Sequence, residues 1–252
     1  MRDKGLFSVF RLADVVQEND STRTLLFDSG LPEGCPGQFV MAWLPGIGEK
    51  PFSFSEASPL ALTIADVGPV SHAFHQLSPG DRVWIRGPLG RGFDLLSQKP
   101  LLVGGGYGAA PLRLLAKTAR AQNCVVTVVL GARTMGDLMM ADDFEALSCR
   151  VVLATEDGSS GIQGRVTDAL EQACSGWACD GLYACGPTGM LLALGAFARE
   201  RNLPAQLSFE ALIRCGVGLC GSCELPEGIC TDFGLSPGFL VCQDGPVARM
   251  GF

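Results

Sequence analysis

The stretch that decides the fold is 100-PLLVGGGYGAAPLRLLAKTARAQ-122. Pro100 to Val103 is a short apolar run with no polar alternation, the mark of a strand buried on both faces. It runs straight into Gly104-Gly105-Gly106-Tyr107-Gly108. Apolar residues then recur at helical spacing, which predicts a helix over 112–122. Downstream the same alternation continues, with strands over 125–130, 150–154 and 181–185 and helices over 165–173 and 188–201. Strands alternating with helices form a parallel sheet with right-handed crossovers. In such sheets the glycine turn after the first strand lets backbone approach a phosphate at a helix N-terminus. Gly106 and Gly108 belong to that turn. The third glycine of the usual pattern is replaced by Pro111, a residue suited to a first helical turn. A plain tight turn is the competing reading. The second strand ends Gly131-Ala132-Arg133 with no acidic residue for a ribose hydroxyl, which leaves NAD and NADP both open. The last strand ends Cys185-Gly186-Pro187, at the carboxyl edge where ligands bind. There Cys185 either faces a reacting ring or simply packs at a turn.

Upstream, residues 1–96 read as all-β. Short apolar runs (6–12, 22–27, 38–44, 51–54, 60–67, 82–86) are punctuated by Gly, Pro and Asp, which suggests a closed antiparallel barrel. One short helix, 70–77, interrupts it. Lys50-Pro51-Phe52-Ser53 sets a cation, an aromatic ring and a hydroxyl on one extended segment. Lys50 suits a phosphate, Phe52 a flat ring, and Ser53 a ring nitrogen. Alternating Phe and Ser is equally what a half-buried barrel strand looks like. Val67-Gly68-Pro69-Val70-Ser71 precedes the helix; Ser71 is either part of a phosphate site or an ordinary N-cap.

The tail, 206–252, carries 215-CGVGLCGSC-223 and then Cys242. Cys215, Cys220 and Cys223 have the spacing C-x4-C-x2-C, the plant-type arrangement for a [2Fe–2S] cluster, with Cys242 as fourth ligand. Gly216, Gly218 and Gly221 supply the positive φ and open backbone that wrapping a cluster requires. Cys230, in what reads as a flexible insertion-like loop, is the rival for the fourth place. Two other readings compete. Zinc favours paired C-x2-C units, often with His, and both histidines lie far upstream at 72 and 75. A disulfide framework belongs to an oxidising compartment. Met1 opens a polar stretch rather than an export signal, and no apolar run approaches a membrane span. A reducing, cytoplasmic setting is therefore expected, where eleven cysteines stay reduced or bind metal. Cys35, Cys124, Cys149, Cys174 and Cys179 read as small core or surface residues. The net charge of −7, with no basic cluster, argues against nucleic acid. A tail this short needs a staple to fold, and the cluster would be one.

Taken together, the pieces resemble the electron-transfer subunits of dihydroorotate dehydrogenases, a branch of the ferredoxin–NADP reductase superfamily. The resemblance spans the chain in order: Lys-x-Phe-Ser, Gly-x-Gly-x-x-Pro, Cys-Gly-Pro, and the cysteine motif ending Cys-Gln-Asp-Gly-Pro-Val. It implies a β-barrel FAD domain (1–96), a parallel-sheet NAD(P) domain (97–205) and a small C-terminal [2Fe–2S] domain (206–252). It assigns Lys50, Pro51, Phe52 and Ser53 to the flavin, with Ser53 near N5, and Thr63, Ile64 and Ala65 to the strand lining FAD. Val70 and Ser71 fall to its pyrophosphate. Gly106, Gly108, Pro111, Cys185, Gly186 and Pro187 fall to the nicotinamide nucleotide. The implied partner is an FMN-containing catalytic subunit in a heterotetramer, with NAD or NADP as substrate. The chain departs from the family pattern at Lys50, where an Arg would grip phosphate bidentately, and at Val70, where a Gly is usual. The gap from Cys223 to Cys242 is also longer. These departures keep two alternatives in view: a subunit of an NAD(P)H–ferredoxin oxidoreductase, sulfide dehydrogenase or hydrogenase, and, from a different class, a non-redox zinc module.

Overall fold

The computed structural model describes residues 6–175 and 179–250. Its first half is a closed six-stranded antiparallel barrel: β1 (Ser8–Asn19), β2 (Thr22–Phe27), β3 (Phe39–Leu44), β4 (Gly48–Ala57), β5 (Leu60–Ala65) and β6 (Arg82–Leu89). The strand order is β1-β2-β5-β4-β3-β6, closed by pairing of β1 with β6, Ser8 opposite Ile85. Strands turn one face inward, and Phe10, Leu12, Leu25, Phe27, Val40, Phe54, Leu62 and Ile85 fill the interior. The helix α1 (Pro69–His75) adds Phe74 to that core, completely buried and edge-on to Phe52 at 5.1 Å. Ser71 is not the N-cap of α1. Gly68 is, and Ser71 sits inside the first turn, its Oγ accepting from the Val67 N–H and donating to the Gly68 carbonyl.

The second half is a seven-stranded sheet of β7 (Pro100–Gly105), β8 (Thr127–Ala132), β9 (Arg150–Thr155), β10 (Ile162–Gln163), β11 (Gly181–Cys185), β12 (Ala205–Ser208) and β13 (Val247–Arg249). The order is β10-β9-β8-β7-β11-β12-β13, parallel except for β13. Helices α2 (Ala109–Ala121), α3 (Ala141–Ala146), α4 (Leu170–Cys174) and α5 (Thr188–Glu200) connect it. The chain winds one way from β7 to β8 and β9, then returns to β11 on the other side. The carboxyl ends of β7 and β11 therefore flank a switch point, where open sheets form a crevice. The barrel docks there. Leu114 of α2 belongs to the barrel core, and Glu56 of β4 takes Lys117 of α2 at 2.6 Å. No helix among the described residues is long and apolar enough to cross a membrane.

The cysteine-bearing segment leaves the sheet after β12 and re-enters it at β13, so it is an excursion between two neighbouring strands. It shares the sheet's core: Cys223, Leu225, Phe233 and Val241 pack in one cluster with Leu182 and Leu207. Ahead of Cys242 the chain forms only a bridge between Glu224 and Leu240. The expected loop around Cys230 is a helix, α6 (Glu227–Phe233). Ile229, Cys230 and Phe233 recur on one of its faces. Phe233 meets Phe209 at 5.4 Å and lies so close to α5 that a Cβ at Gly195 would overlap its ring.

A buried cation links the barrel to the excursion, beside the apolar contacts of Phe39, Met41 and Leu89. Arg86 of β6, 8% exposed, donates to Glu49 and to the Cys215 carbonyl, each at 2.8 Å. Replacing it by Met removes a charged donor from a buried carbonyl and is expected to cost about 1–3 kcal/mol. Urea titration of Arg86→Met measures this; an unchanged midpoint would mean that the contact adds nothing to stability.

Candidate functional site

A cleft of about 550 Å³ opens where the barrel meets the switch point of the sheet. That is a typical size for a small-molecule site. On the barrel side it is lined by Lys50, Pro51, Phe52 and Ser53 from β4 and by Thr63, Ile64 and Ala65 from β5. Val70 and Ser71 of α1 complete that wall. Lys50 is exposed and Phe52 and Ser53 are partly exposed, so a cation, a ring and a hydroxyl all face open space. Thr63 Oγ1 is already engaged, bonded to Thr24 at 2.8 Å and Ser55 at 3.2 Å. With the Ser71 hydroxyl also used inside α1, a ligand there would meet backbone N–H groups of the first turn, which lack intrahelical partners.

The sheet side contributes Pro111 and Cys185 directly. Gly106, Gly108, Gly186 and Pro187 form the turns behind them. Those turns touch backbone to backbone: a Cβ on Gly108 would overlap the Cys185 carbonyl, and one on Gly186 would press on Gly105. Glycine is required at both places for steric reasons, and Gly106 and Gly186 also have positive φ, 54° and 154°. Every residue the sequence proposed for the two nucleotides thus lies in the cleft wall or in the turns supporting it.

The sequence reading missed Glu210. It lies just past the end of β12, whose Ser208 pairs with Cys185. Among the residues lining the cleft only Lys50 and Glu210 are charged. Tyr107 Oη donates to Glu210 at 3.1 Å. Burial lifts the Glu210 carboxyl above the ordinary carboxylate range, and the Tyr107 bond pulls it partly back. Burial, then the nearby Glu210, pushes the Cys185 thiol up to about 12, so it is a neutral thiol at physiological pH. A carboxylate beyond the end of a strand beside the Cys-Gly-Pro strand was the available signal. Without the pairing of β11 with β12, it was one acid among many.

The same wall continues through Ala211, Leu212 and Ile213. Two residues later comes Cys215. Gly216, Gly218 and Gly221 all have positive φ, 68°, 78° and 70°, as a wrapping loop requires. The four thiols fall into two hydrogen-bonded pairs, Cys215 with Cys220 and Cys223 with Cys242, and Cys215 also acts on Cys242 through its charge. Backbone N–H groups point at sulfur: Gly218 at Cys242 (3.2 Å), Leu219 and Val217 at Cys215 (3.4 and 3.5 Å), and Cys242 at Cys223 (3.4 Å). The Ser222 hydroxyl, 3.1 Å from Cys220, leads the groups that hold that thiol down at about 6. Among the described residues no group of three or more His, Cys, Asp or Glu side chains is gathered closely enough to hold a metal ion. Cys230 faces the core on α6, 1% exposed, with Leu225 as its hydrogen-bond partner.

The raised Glu210 carboxyl makes a pH-dependent prediction. Its folded form holds the proton more tightly than the unfolded chain does. The ionised group therefore opposes folding, increasingly as pH rises from the ordinary carboxylate range through the raised value. Glu210→Gln is expected to raise Tm more at about pH 8 than at about pH 5. An equal change at both would mean that the carboxylate carries no strain.

The oxidoreductase NAD-binding domain family matches residues 102–194. The chain is 36% identical over 239 residues to the probable dihydroorotate dehydrogenase B (NAD(+)), electron transfer subunit, of Methanocaldococcus jannaschii, across 95% of this chain and 88% of the relative. For the like-named protein of Methanopyrus kandleri the identity is 42%, over 84% and 78% of the two chains. For that of Thermococcus kodakarensis it is 37%, over 96% of each. Among solved structures, an NADH-dependent reduced ferredoxin–NADP oxidoreductase superposes with a TM-score of 0.84 at 29% identity, over 96% of this chain and 88% of that one. A ferredoxin reductase in carbazole 1,9a-dioxygenase shares the fold alone, with a TM-score of 0.66 at 21% identity, over 78% and 67%. With its barrel, its switch-point cleft and relatives of this identity along nearly its whole length, the chain belongs to the family of dihydroorotate dehydrogenase B electron transfer subunits.

Proposed function

We propose that this oxidoreductase subunit carries electrons between a dihydroorotate-oxidising flavoprotein subunit and NAD, in pyrimidine biosynthesis. The observation that supports it best is contiguity. One stretch, from Ser208 to Ile213, walls the cleft and runs directly into Cys215. The residues present suit both implied groups. The cleft offers a cation, an aromatic face and a hydroxyl on the barrel side and glycine turns on the sheet side. The tail offers two thiol pairs with N–H donors, which is what two bridged irons ask for, whereas one tetrahedral zinc needs its ligands around one point. When bound, FAD exchanges hydride with a nicotinamide and single electrons with an iron–sulfur centre, so the hard chemistry is the cofactors'.

The chain's own residues bind and orient. Lys50 neutralises phosphate, Phe52 lies against a ring, and Pro51 and Ser53 hold the rim of that ring with Thr63, Ile64 and Ala65. Val70 and Ser71 present free N–H groups to a pyrophosphate. Gly106, Gly108, Pro111, Cys185, Gly186 and Pro187 shape the nicotinamide side, where Glu210 sets the local charge. Cys215, Cys220, Cys223 and Cys242 are the cluster ligands in this reading, and Cys230 is structural. Labour divides as 1–96 for FAD, 97–205 for NAD and 206–252 for the cluster. Arg133 is paired with Asp137 at 3.8 Å, which blunts its pull on a 2′-phosphate and favours NAD. The partner is an FMN-bearing catalytic subunit, in a cytoplasmic heterotetramer.

Mixing the purified chain with that catalytic subunit is expected to give dihydroorotate-dependent NAD reduction that neither component gives alone. The structure at 29% identity favours a second reading, an NAD(P)H–ferredoxin oxidoreductase subunit. Ferredoxin-dependent reduction without any response to dihydroorotate would select that one. A paired substitution tests the ligand set. Cys242→Ser is expected to abolish iron–sulfur absorption and leave flavin absorption intact, whereas Cys230→Ser keeps both. The reverse result would overturn the assignment of Cys242.

A further inference from the structure

Three neighbouring strands end in the cleft wall, with β11 in the middle. Cys185 stands opposite Gly104 of β7 on one side and Ser208 of β12 on the other. Tyr107 lies in the turn just past β7, and Glu210 lies two residues past β12. The hydrogen bond from Tyr107 Oη to Glu210, 3.1 Å long, therefore spans the carboxyl end of β11. All three side chains line the cleft. Cys185, beneath the bridge, is only 5% exposed, whereas Tyr107 is 45% exposed and open to a ligand.

The bridge has a fixed polarity. Burial, then the nearby Glu210, pushes the Tyr107 phenol up to about 12, so the tyrosine keeps its proton and donates. Glu210 accepts. Around them the sheet side of the wall is largely apolar, with Ala110, Pro111, Phe209 and Ala211. A few placed polar groups in an apolar wall are what orient a small molecule. Here they are one donor and one acceptor, side by side.

We propose that Tyr107 and Glu210 determine specificity for the carboxamide of a nicotinamide, Tyr107 Oη donating to its carbonyl oxygen and Glu210 accepting from its amide N–H. The inference rests on the reading of the cleft as a nicotinamide nucleotide site, and it names the two groups that orient the ring there. A primary carboxamide carries an acceptor and a donor on one planar group, the counterpart of this pair. Tyr107 and Glu210 satisfy each other at 3.1 Å. The carboxamide enters by parting them, so one hydrogen bond is exchanged for two. A ring substituent offering only one of those partners leaves the other side chain unpaired, which costs affinity. Because the pair spans β11, the carboxamide lies across the strand end, over Cys185.

The oxidised full-length protein, with its cofactors in place, is titrated calorimetrically with NAD and three relatives of it. The 3-acetylpyridine analogue lacks the amide N–H, the thionicotinamide analogue lacks the carbonyl oxygen, and ADP-ribose lacks the ring altogether. Wild type is expected to bind NAD roughly 10- to 100-fold more tightly than the acetyl analogue, and more tightly than the thio analogue. Glu210→Ala is expected to lose the preference over the acetyl analogue and keep that over the thio analogue. Tyr107→Phe is expected to do the reverse, and ADP-ribose binding by both variants shows that they fold. Wild type binding all three dinucleotides alike would overturn the proposal whatever the variants do. So would a folded variant that keeps both preferences or loses both. Wild type that fails to bind ADP-ribose would instead overturn the nucleotide reading of the cleft, and this proposal with it.

Discussion

A buried guanidinium ties the barrel to the cysteine-bearing tail, in a seam where Phe39, Met41 and Leu89 of the barrel share one apolar core with Cys223, Val241 and Cys242. Arg86 is buried, and a buried charge is costly unless it is paired and hydrogen-bonded. It meets the Glu49 carboxylate on the barrel and the Cys215 carbonyl on the tail, with its guanidinium 5.5 Å from the centre of the Phe7 ring. Removing any partner leaves another uncompensated. The geometry of the first cysteine is therefore referred to the same strands that wall the cleft. Gly216 reinforces the link: it sits so tightly over Met41, Leu89 and Arg86 that an added Cβ would crowd all three.

The remaining architecture serves the same end. The sheet supplies a crevice because its chain reverses direction between β7 and β11, a property of topology rather than of any side chain. The barrel closes that crevice from above, with α2 contributing to both cores. The excursion between β12 and β13 starts as cleft wall, becomes the thiol loop, and returns to the sheet. Helix α6 braces it against α5 through Phe233. Glu210 places a carboxyl held above its ordinary range beside Cys185.

Much of this was legible in the sequence because the signals were local. The run 100–111 carries strand, turn and helix in one reading, and 215–223 carries its C-x4-C-x2-C spacing in nine residues. Glycines at Gly108, Gly186, Gly216 and Gly218 stand where steric contact or positive φ demands them. What stayed hidden depends on distant pairing. Glu210 gains meaning only once Ser208 lies beside Cys185. Strand β13 is three residues long and exists because β12 offers an edge. Helix α6 follows Pro226, and its place depends on Phe233 filling the gap left by Gly195 on a distant helix. Ser71 reads as a cap from its residue type, yet the start of α1 is set by Pro69, two positions earlier.

The central claim is that the two thiol pairs hold two irons next to a flavin-binding cleft. Diffraction collected at the iron absorption edge tests it most directly. The account predicts two adjacent anomalous peaks, one between Cys215 and Cys220 and the other between Cys223 and Cys242, beside flavin density along β4 and β5. A lone peak at the zinc edge, or no peak among these four sulfurs, would contradict it.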